Sequence, residues 1–319
     1  MKKKIHLLSA LLIACMSLVG CHNGKTASVV TSADSDSVVT VTEAPAATSS
    51  DTLQTQTVDY AKYEKDSLLY SKVSVQWPTG KDSLSLGVRS FIASKLAKIY
   101  LPHVCYYEGT PNLSDYPLYK GDLSDARALV KHYGKGTLRY LRSQWEEMEM
   151  DSRDSREHID NEITIYKEKE TPRYVVYLTT TYCELGGPHG NYECVSNIIS
   201  KFTHREVTNV LLKGKEKQLQ PFIRKGILDY FNQHEEGEEV DEDFTPVTDE
   251  ELEDRLNPEV RGKLIPLPEN PPTLDTDGVW LEYQRGEILP YAEAIVSIKI
   301  PYKDILPYLT KEARQLFGD

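Results

Sequence analysis

The first 21 residues constrain this chain most, because they decide the compartment in which the rest must fold. Lys2, Lys3 and Lys4 form a positive start, and an apolar run from Ile5 to Val19 follows, broken by His6, Ser9 and Ser17. The run ends in Leu18-Val19-Gly20-Cys21, which has the form of a bacterial lipobox. A cleaved secretory signal ends in small residues and needs no cysteine after the cut. Here Cys21 sits where a diacylglyceryl thioether forms. The competing reading is a membrane helix, but about fifteen apolar residues is short for spanning a bilayer. We therefore expect a lipoprotein signal peptide over 1–20 and a lipidated Cys21. The remainder is expected in the bacterial cell envelope, held to a lipid bilayer through acylated Cys21 and facing outside the cytoplasm.

Charge narrows the partners. The whole chain has 37 Lys and Arg against 49 Asp and Glu, a net charge of −12. Removing the three leader lysines moves this to −15. Such a surface argues against nucleic acid and suits a cationic partner. Tyr is plentiful at 20 and Phe scarce at 6, a balance that fits half-exposed sheet faces and recognition surfaces. Of five cysteines, Cys15 leaves with the signal and Cys21 takes the lipid. Cys105, Cys183 and Cys194 remain in an oxidising compartment, an odd number that allows one bridge and one spare thiol.

Residues 22–58 are Ser, Thr, Ala, Val and Asp with almost no large apolar side chain, so 21–59 reads as a lipidated cysteine followed by a disordered tether. Folded sequence starts near Tyr60. Residues 68–77 read as a strand ended by Pro78. Ser83 or Ser85 can cap a helix with apolar positions at Val88, Phe91, Ile92, Leu96 and Ile99, stopped by Pro102. Ser124-Asp125 open a second helical region, which Gly134 and Gly136 are expected to divide. From Asp160 the pattern turns β-rich, with strands at 163–166, 174–182 and 191–202. Helical spacing returns from Pro221 to Phe231. Residues 234–254 are dense in Asp and Glu and read as a solvated acidic insertion; the spacing of an EF-hand loop is absent. Val279–Tyr283 and Ala294–Ile300 form a last strand pair before a short helical tail. Strands and helices are segregated, which predicts an α+β fold. The expected architecture is an antiparallel sheet with helices packed on one side, in two subdomains, 60–158 and 159–319.

The sharpest local motif is Gly186-Gly187-Pro188-His189-Gly190-Asn191. Its glycines permit positive φ and close backbone approach, so it serves as a hairpin turn and, alternatively, as a recognition loop. With Pro188-His189 at the turn centre, Cys183 and Cys194 face each other across two antiparallel strands. A bridge is feasible only in the closer pairing, and a register slip of one residue removes it. His189 has Glu184 and Glu193 nearby, but no paired-ligand spacing supports zinc, so neither metal nor cofactor is expected. Nucleophile-elbow, P-loop and Rossmann signatures are absent. A glycosidase-type carboxylate pair has no local signature, which leaves a hydrolase acting on cell-envelope carbohydrate as the alternative function.

Two segments carry a family resemblance. Residues 182–191, with Gly186-Gly187-Pro188-His189-Gly190, resemble a Gly-Gly-Ala-His-Gly turn. Asp277–Tyr283, Glu287-Ile-Leu-Pro290-Tyr291-Ala292 and Val296–Tyr302 are similar to the closing strands and the Glu-Ile-Ala-Pro-Tyr-Ala turn of the same family. This is the family of extracellular domains of unknown function found in the anti-sigma factor RsiV and beside the deacetylase domain of PdaC. Pro188 and Leu289 stand where the family has Ala, and Gly286 where Tyr is usual. The resemblance implies a non-catalytic binding module for a lysozyme-like protein or for peptidoglycan. Its ligand-binding candidates are Gly186, Gly187, His189, Gly190, Asn191, Glu287 and Tyr291.

Overall fold

The computed structural model describes residues 37–43, 52–65, 67–105, 116–151, 158–185, 190–233, 245–293 and 295–317. A six-stranded sheet runs in chain order: β1 (Ser37–Glu43), β2 (Thr55–Glu64), β3 (Leu69–Pro78), β4 (Ile159–Glu170), β5 (Tyr174–Leu185) and β6 (Asn191–Ser200). Four of its five pairings are antiparallel. The fifth, β3 with β4, is parallel. A parallel neighbour needs a crossover connection, and the helices α1 (Ser83–Cys105) and α2 (Ala126–Asp151) supply it. The fold is α+β as expected, but the sheet is mixed rather than antiparallel throughout.

One face of this sheet packs under α1 and α2. Val58, Tyr60, Val73, Val75, Ile163 and Ile165 from the strands meet Val88, Ile92, Leu96, Leu129, Val130 and Leu141 from the helices, all at or below 1% exposure. The helix starts are fixed by aspartates. Asp82 accepts from the Ser85 N–H at 2.9 Å and the Ser85 hydroxyl at 2.6 Å, so Asp82 is the cap in place of Ser83 or Ser85. Asp125 accepts the Ala128 N–H at 2.9 Å. α1 continues to Cys105, past the expected stop at Pro102. α2 is one helix, not two. Its glycines make room rather than break it: a Cβ on Gly134 would lie 2.0 Å from the Tyr60 ring, and one on Gly136 2.2 Å from the Tyr100 hydroxyl.

The second core lies on the other face of β5 and β6. Val175 and Tyr177 of β5 enter the first core, while Tyr174 and Val176 enter the second, as period-two alternation requires. Covering that face is a three-stranded sheet of β7 (Thr273–Leu274), β8 (Gly278–Tyr283) and β9 (Val296–Pro301), backed by α3 (Glu216–Asn232). Gly226 of α3 sits so close to β9 that a Cβ there would lie 2.8 Å from Ile298. Helices therefore occupy both sides of the six-stranded sheet rather than one. Short helices α4 (Asp249–Arg255), α5 (Tyr302–Ile305) and α6 (Lys311–Phe317), with a single 3-10 turn at Leu306–Tyr308, complete the described elements.

Three expectations change. The tether over 21–59 is cut short, because β1 and the start of β2 lie inside it, with Leu53 and Val58 buried. Low apolar content hid two β-branched runs that need only one buried side chain in two. The boundary at 158 falls inside one sheet and one core, since Ile159 and Ile163 pack with Val58 and Val73. The acidic segment is not wholly a loop. Thr248 and Glu251 form a capping box that starts α4, and Leu252 is buried.

Candidate functional site

The β5–β6 hairpin positions the first expected site segment. Gly186, Gly187 and His189 lie outside the described residues, as does Cys21. Asn191 pairs with Cys183, and Cys194 pairs with Thr180. The hairpin register thus differs from the expected one by three residues. Cys183 and Cys194 are three positions out of step and point to opposite faces of the sheet, so the bridge considered from the sequence does not form and neither cysteine is in a disulfide. The Cys183 thiol is pushed up to about 11 by burial, despite the Asn161 amide beside it. Gly190 is fixed by close approach: a Cβ there would lie 2.5 Å from the Tyr182 ring.

The second segment connects β8 to β9. The Gln284 N–H donates to Glu287 Oε2 at 2.8 Å, and the Glu269 N–H donates to Glu287 Oε1 at 2.7 Å. Both Glu287 oxygens are thus engaged inside the turn. Burial still raises its pKa, against those two backbone donors. Gly286 takes φ of +79°, and its carbonyl accepts from Asn257 Nδ2 at 2.9 Å. Glycine at this position is where the family resemblance departs, and the backbone explains it. Ile288 and Leu289 are buried and hold the turn down.

The two segments meet. The Tyr291 hydroxyl lies 3.2 Å from Asn191 Oδ1 and 3.4 Å from the Gly190 carbonyl, with one proton to donate. Nearby, the Gln284 side chain donates to the Cys194 carbonyl at 3.1 Å and accepts the Cys194 N–H at 3.4 Å. This amide acts as one residue of an extra strand on the outer edge of β6. Gly190, Asn191, Glu287 and Tyr291 therefore belong to one cluster at the β6 edge. Gln284 and Asn257 were absent from the sequence expectation; their signal is long-range and no local motif carries it.

A different cluster joins the two sheets. Asp275 accepts from Lys169 Nζ at 2.6 Å, Lys299 Nζ at 3.1 Å and Trp280 Nε1 at 3.2 Å. The Lys169 bond, with Lys299 and Trp280 behind it, holds its carboxyl well below the usual range despite partial burial. On the neighbouring strand Glu282 is pushed up to about 7 by burial, with Glu168 on the β4 bulge adding to the rise. Such a carboxyl has acid–base capacity. Catalysis also needs a cleft, and two cavities among the described residues lie away from this carboxyl. One, about 10 Å³, is enclosed by Tyr100, Thr137, Leu141, Asn161 and Cys183. The other is an open polar groove of about 520 Å³ between Arg205, Asn209 and Glu312. Among the described residues no group of three or more His, Cys, Asp and Glu is arranged to hold a metal, and no helix is long and apolar enough to cross a membrane.

Comparison with known proteins places the architecture. A solved structure described as a member of the DUF3298 family from Bacteroides fragilis superposes with a TM-score of 0.57 at 17% identity, over 82% of this chain and 94% of that one. The chain has a DUF3298-type fold. A DUF3298 protein from Pseudomonas aeruginosa also matches, with a TM-score of 0.47 at 12% identity over 87% of this chain and 94% of its own. No family model and no curated protein matches the sequence.

Proposed function

We propose that this protein is a lipid-anchored binding module of the bacterial cell envelope, related in type to the RsiV and PdaC extracellular domains. Its ligand is a lysozyme-like protein or cell-wall glycan, and it works without catalysis. The observation that carries this reading is the Tyr291 hydroxyl contact to Asn191 and Gly190, which brings the two family-like turns into one cluster. Loops held on a rigid sheet are where binding residues concentrate. Glu287 braces this surface from within, leaving Asn191, Tyr291 and the adjoining turn as its contact groups. The anchor rests on the Leu18–Cys21 motif.

Full-length chain solubilised in neutral detergent is titrated with lysozyme and with peptidoglycan fragments. Binding of either, weakened at least tenfold by an Asn191→Ala, Tyr291→Ala double variant, supports the reading. Absence of binding to both overturns it, and turnover of the glycan puts the hydrolase alternative ahead. For the anchor, Cys21→Ala leaves an unprocessed precursor; normal cleavage and detergent partitioning of that variant contradict the lipobox.

A further inference from the structure

The six-stranded sheet has two outer edges, and they are finished differently. On β6 the edge is occupied. The Val207 N–H donates to the Ile198 carbonyl at 2.8 Å, Gln284 engages both backbone groups of Cys194, and the Tyr291 hydroxyl reaches the Gly190 carbonyl. On β1 the inner side pairs with β2 over all seven residues, and among the described residues no strand pairs with the outer side. The sequence of β1 is Ser-Val-Val-Thr-Val-Thr-Glu, with five consecutive β-branched residues and neither lysine nor proline; its register with β2 carries no bulge. Solvent-facing edges normally carry one of those devices, because a row of unpaired N–H and C=O groups is a template for another chain. Val39 and Val41 pack against the first core but are only partly buried. Thr40 and Thr42 alternate with them on the other face, where the Thr40 hydroxyl donates to Asp59 at 3.3 Å.

We propose that β1 pairs with β1 of a second copy of this chain, antiparallel about a two-fold axis, joining the two six-stranded sheets edge to edge. The strand is self-complementary. Its outward backbone groups recur at every second residue, so antiparallel pairing sets residues of the same parity opposite each other. Centring the axis on Thr40 places Val39 opposite Val41 of the second copy, and Val41 opposite its Val39. Both valine pairs lie on the helix side, and they close apolar surface that one copy leaves partly open. A shift of two residues either way sets Ser37 or Glu43 against a valine instead. Each copy has one such edge, so the contact is isologous and closes at a dimer. One strand pair is a small interface, and confinement to a membrane favours it. Ser37 follows Cys21 by sixteen residues, a reach of at most about 55 Å along an extended chain. The β1 edges of anchored copies therefore share one layer beside the bilayer, where their effective concentration for each other is high. The confinement rests on the lipid anchor proposed above; the strand pairing does not.

The test compares Thr40→Cys with Thr42→Cys in the full-length chain, reconstituted in liposomes of phosphatidylethanolamine and phosphatidylglycerol and oxidised with copper phenanthroline. Across the proposed axis the two copies of position 40 stand directly opposite, with Cα atoms about 4.5–5.5 Å apart, within reach of a disulfide. The two copies of position 42 are displaced by four residues along the strand, roughly 13 Å, and out of reach. Thr42 is the more exposed of the two, so chance collision favours position 42 and the two-fold pairing favours position 40. The native cysteines are common to both variants. Thr40→Cys is expected to give at least tenfold more crosslinked dimer. A second variant, Thr40→Lys, places a cation across from Asp59 within the chain but sets two lysines against each other at the axis. It should lower the fraction of paired chains, counted by photobleaching steps of labelled protein on the same liposomes, at least fivefold while its thermal melt stays cooperative. Equal or absent crosslinking at the two positions, or pairing untouched by Thr40→Lys, overturns the proposal. If the wild-type chain does not stay with the liposomes, the anchor falls, and the same cysteine comparison in concentrated solution decides the strand pairing: dominance of position 40 upholds it, and anything else overturns it.

Discussion

Strand β4 carries two surfaces of opposite character. Ile159, Asn161, Ile163 and Ile165 are buried under α1 and α2, while Asp160, Glu162, Thr164 and Tyr166 on the alternate positions remain partly exposed. A second contrast runs along the strand. At its end Lys169 helps hold Asp275 strongly acidic, and near its start Asp160 is pushed the other way by burial and two neighbouring carboxylates. Carboxylates on the same sheet are thus used differently. Asp275 is saturated with donors and locks two sheets together. Asp160 is partly buried beside Glu162 and Glu184, and that burial, with the neighbouring carboxylates, raises its pKa against the opposing His158 ring.

The largest effect separates the two faces of β4. Ile163→Ala should lower unfolding free energy by about 3 kcal/mol, because it deletes methylenes from a closed core. Thr164→Ala, one residue on, should stay within about 0.5 kcal/mol. Urea unfolding followed by circular dichroism measures both, and similar losses would mean that the second face is also packed.

The two carboxylates come next. Asp275→Asn should cost about 2 kcal/mol at pH 7, since it removes the negative charge and one of the two acceptor oxygens that Lys169, Lys299 and Trp280 share. The folded-state pKa of Asp275 is depressed, so its contribution is full above the ordinary Asp range and fades as pH falls through it. The gap between wild type and variant should therefore narrow below about pH 4. Asp160→Asn should do the reverse on a smaller scale. Its folded-state pKa is raised, so the ionised form destabilises the fold above that pKa. The variant should gain up to about 1 kcal/mol at pH 7, and the gain should vanish at acid pH. A loss at neutral pH would show that the Asp160 charge is structurally required.

Much of this arrangement is legible in the sequence because period carries it. Val88 to Ile99 fits one helix face, and Tyr174 to Tyr182 is β-rich, so α1 and β5 are found locally. The parallel β3–β4 pairing is not, because nothing in either strand encodes its neighbour. The cysteine pairing failed for a related reason: hairpin register depends on the whole turn, and a three-residue shift moves Cys194 from Cys183 to a place beside Thr180. The start of α4 was readable as Thr248-x-x-Glu251 but was masked by the surrounding acidity. Glu287 and Tyr291 stand out as a motif, yet the pairing of Glu287 with Gln284, of Tyr291 with Asn191 and of Asn257 with the Gly286 carbonyl emerges only in three dimensions.

The smallest expected effect tests whether the Tyr291 cluster belongs to the locked or the open part of the molecule. Tyr291→Phe removes one hydroxyl and keeps the ring. Its two acceptors lie at 3.2 and 3.4 Å and share a single proton, so the net loss should be about 0.5 kcal/mol. Global unfolding will scarcely register that. Amide exchange should, because the bond ties the start of β6 to a turn anchored by Ile288 and Leu289. Exchange at Asn191 and Tyr192 should quicken severalfold in the variant, while Cys194, held separately by Gln284, keeps its protection. Faster exchange at all three would mean that the β6 edge opens as one unit and that Gln284 does not act as an independent brace. Unchanged exchange at Asn191 would mean that the hairpin alone orders this edge, and the joining of the two turns would lose its structural basis.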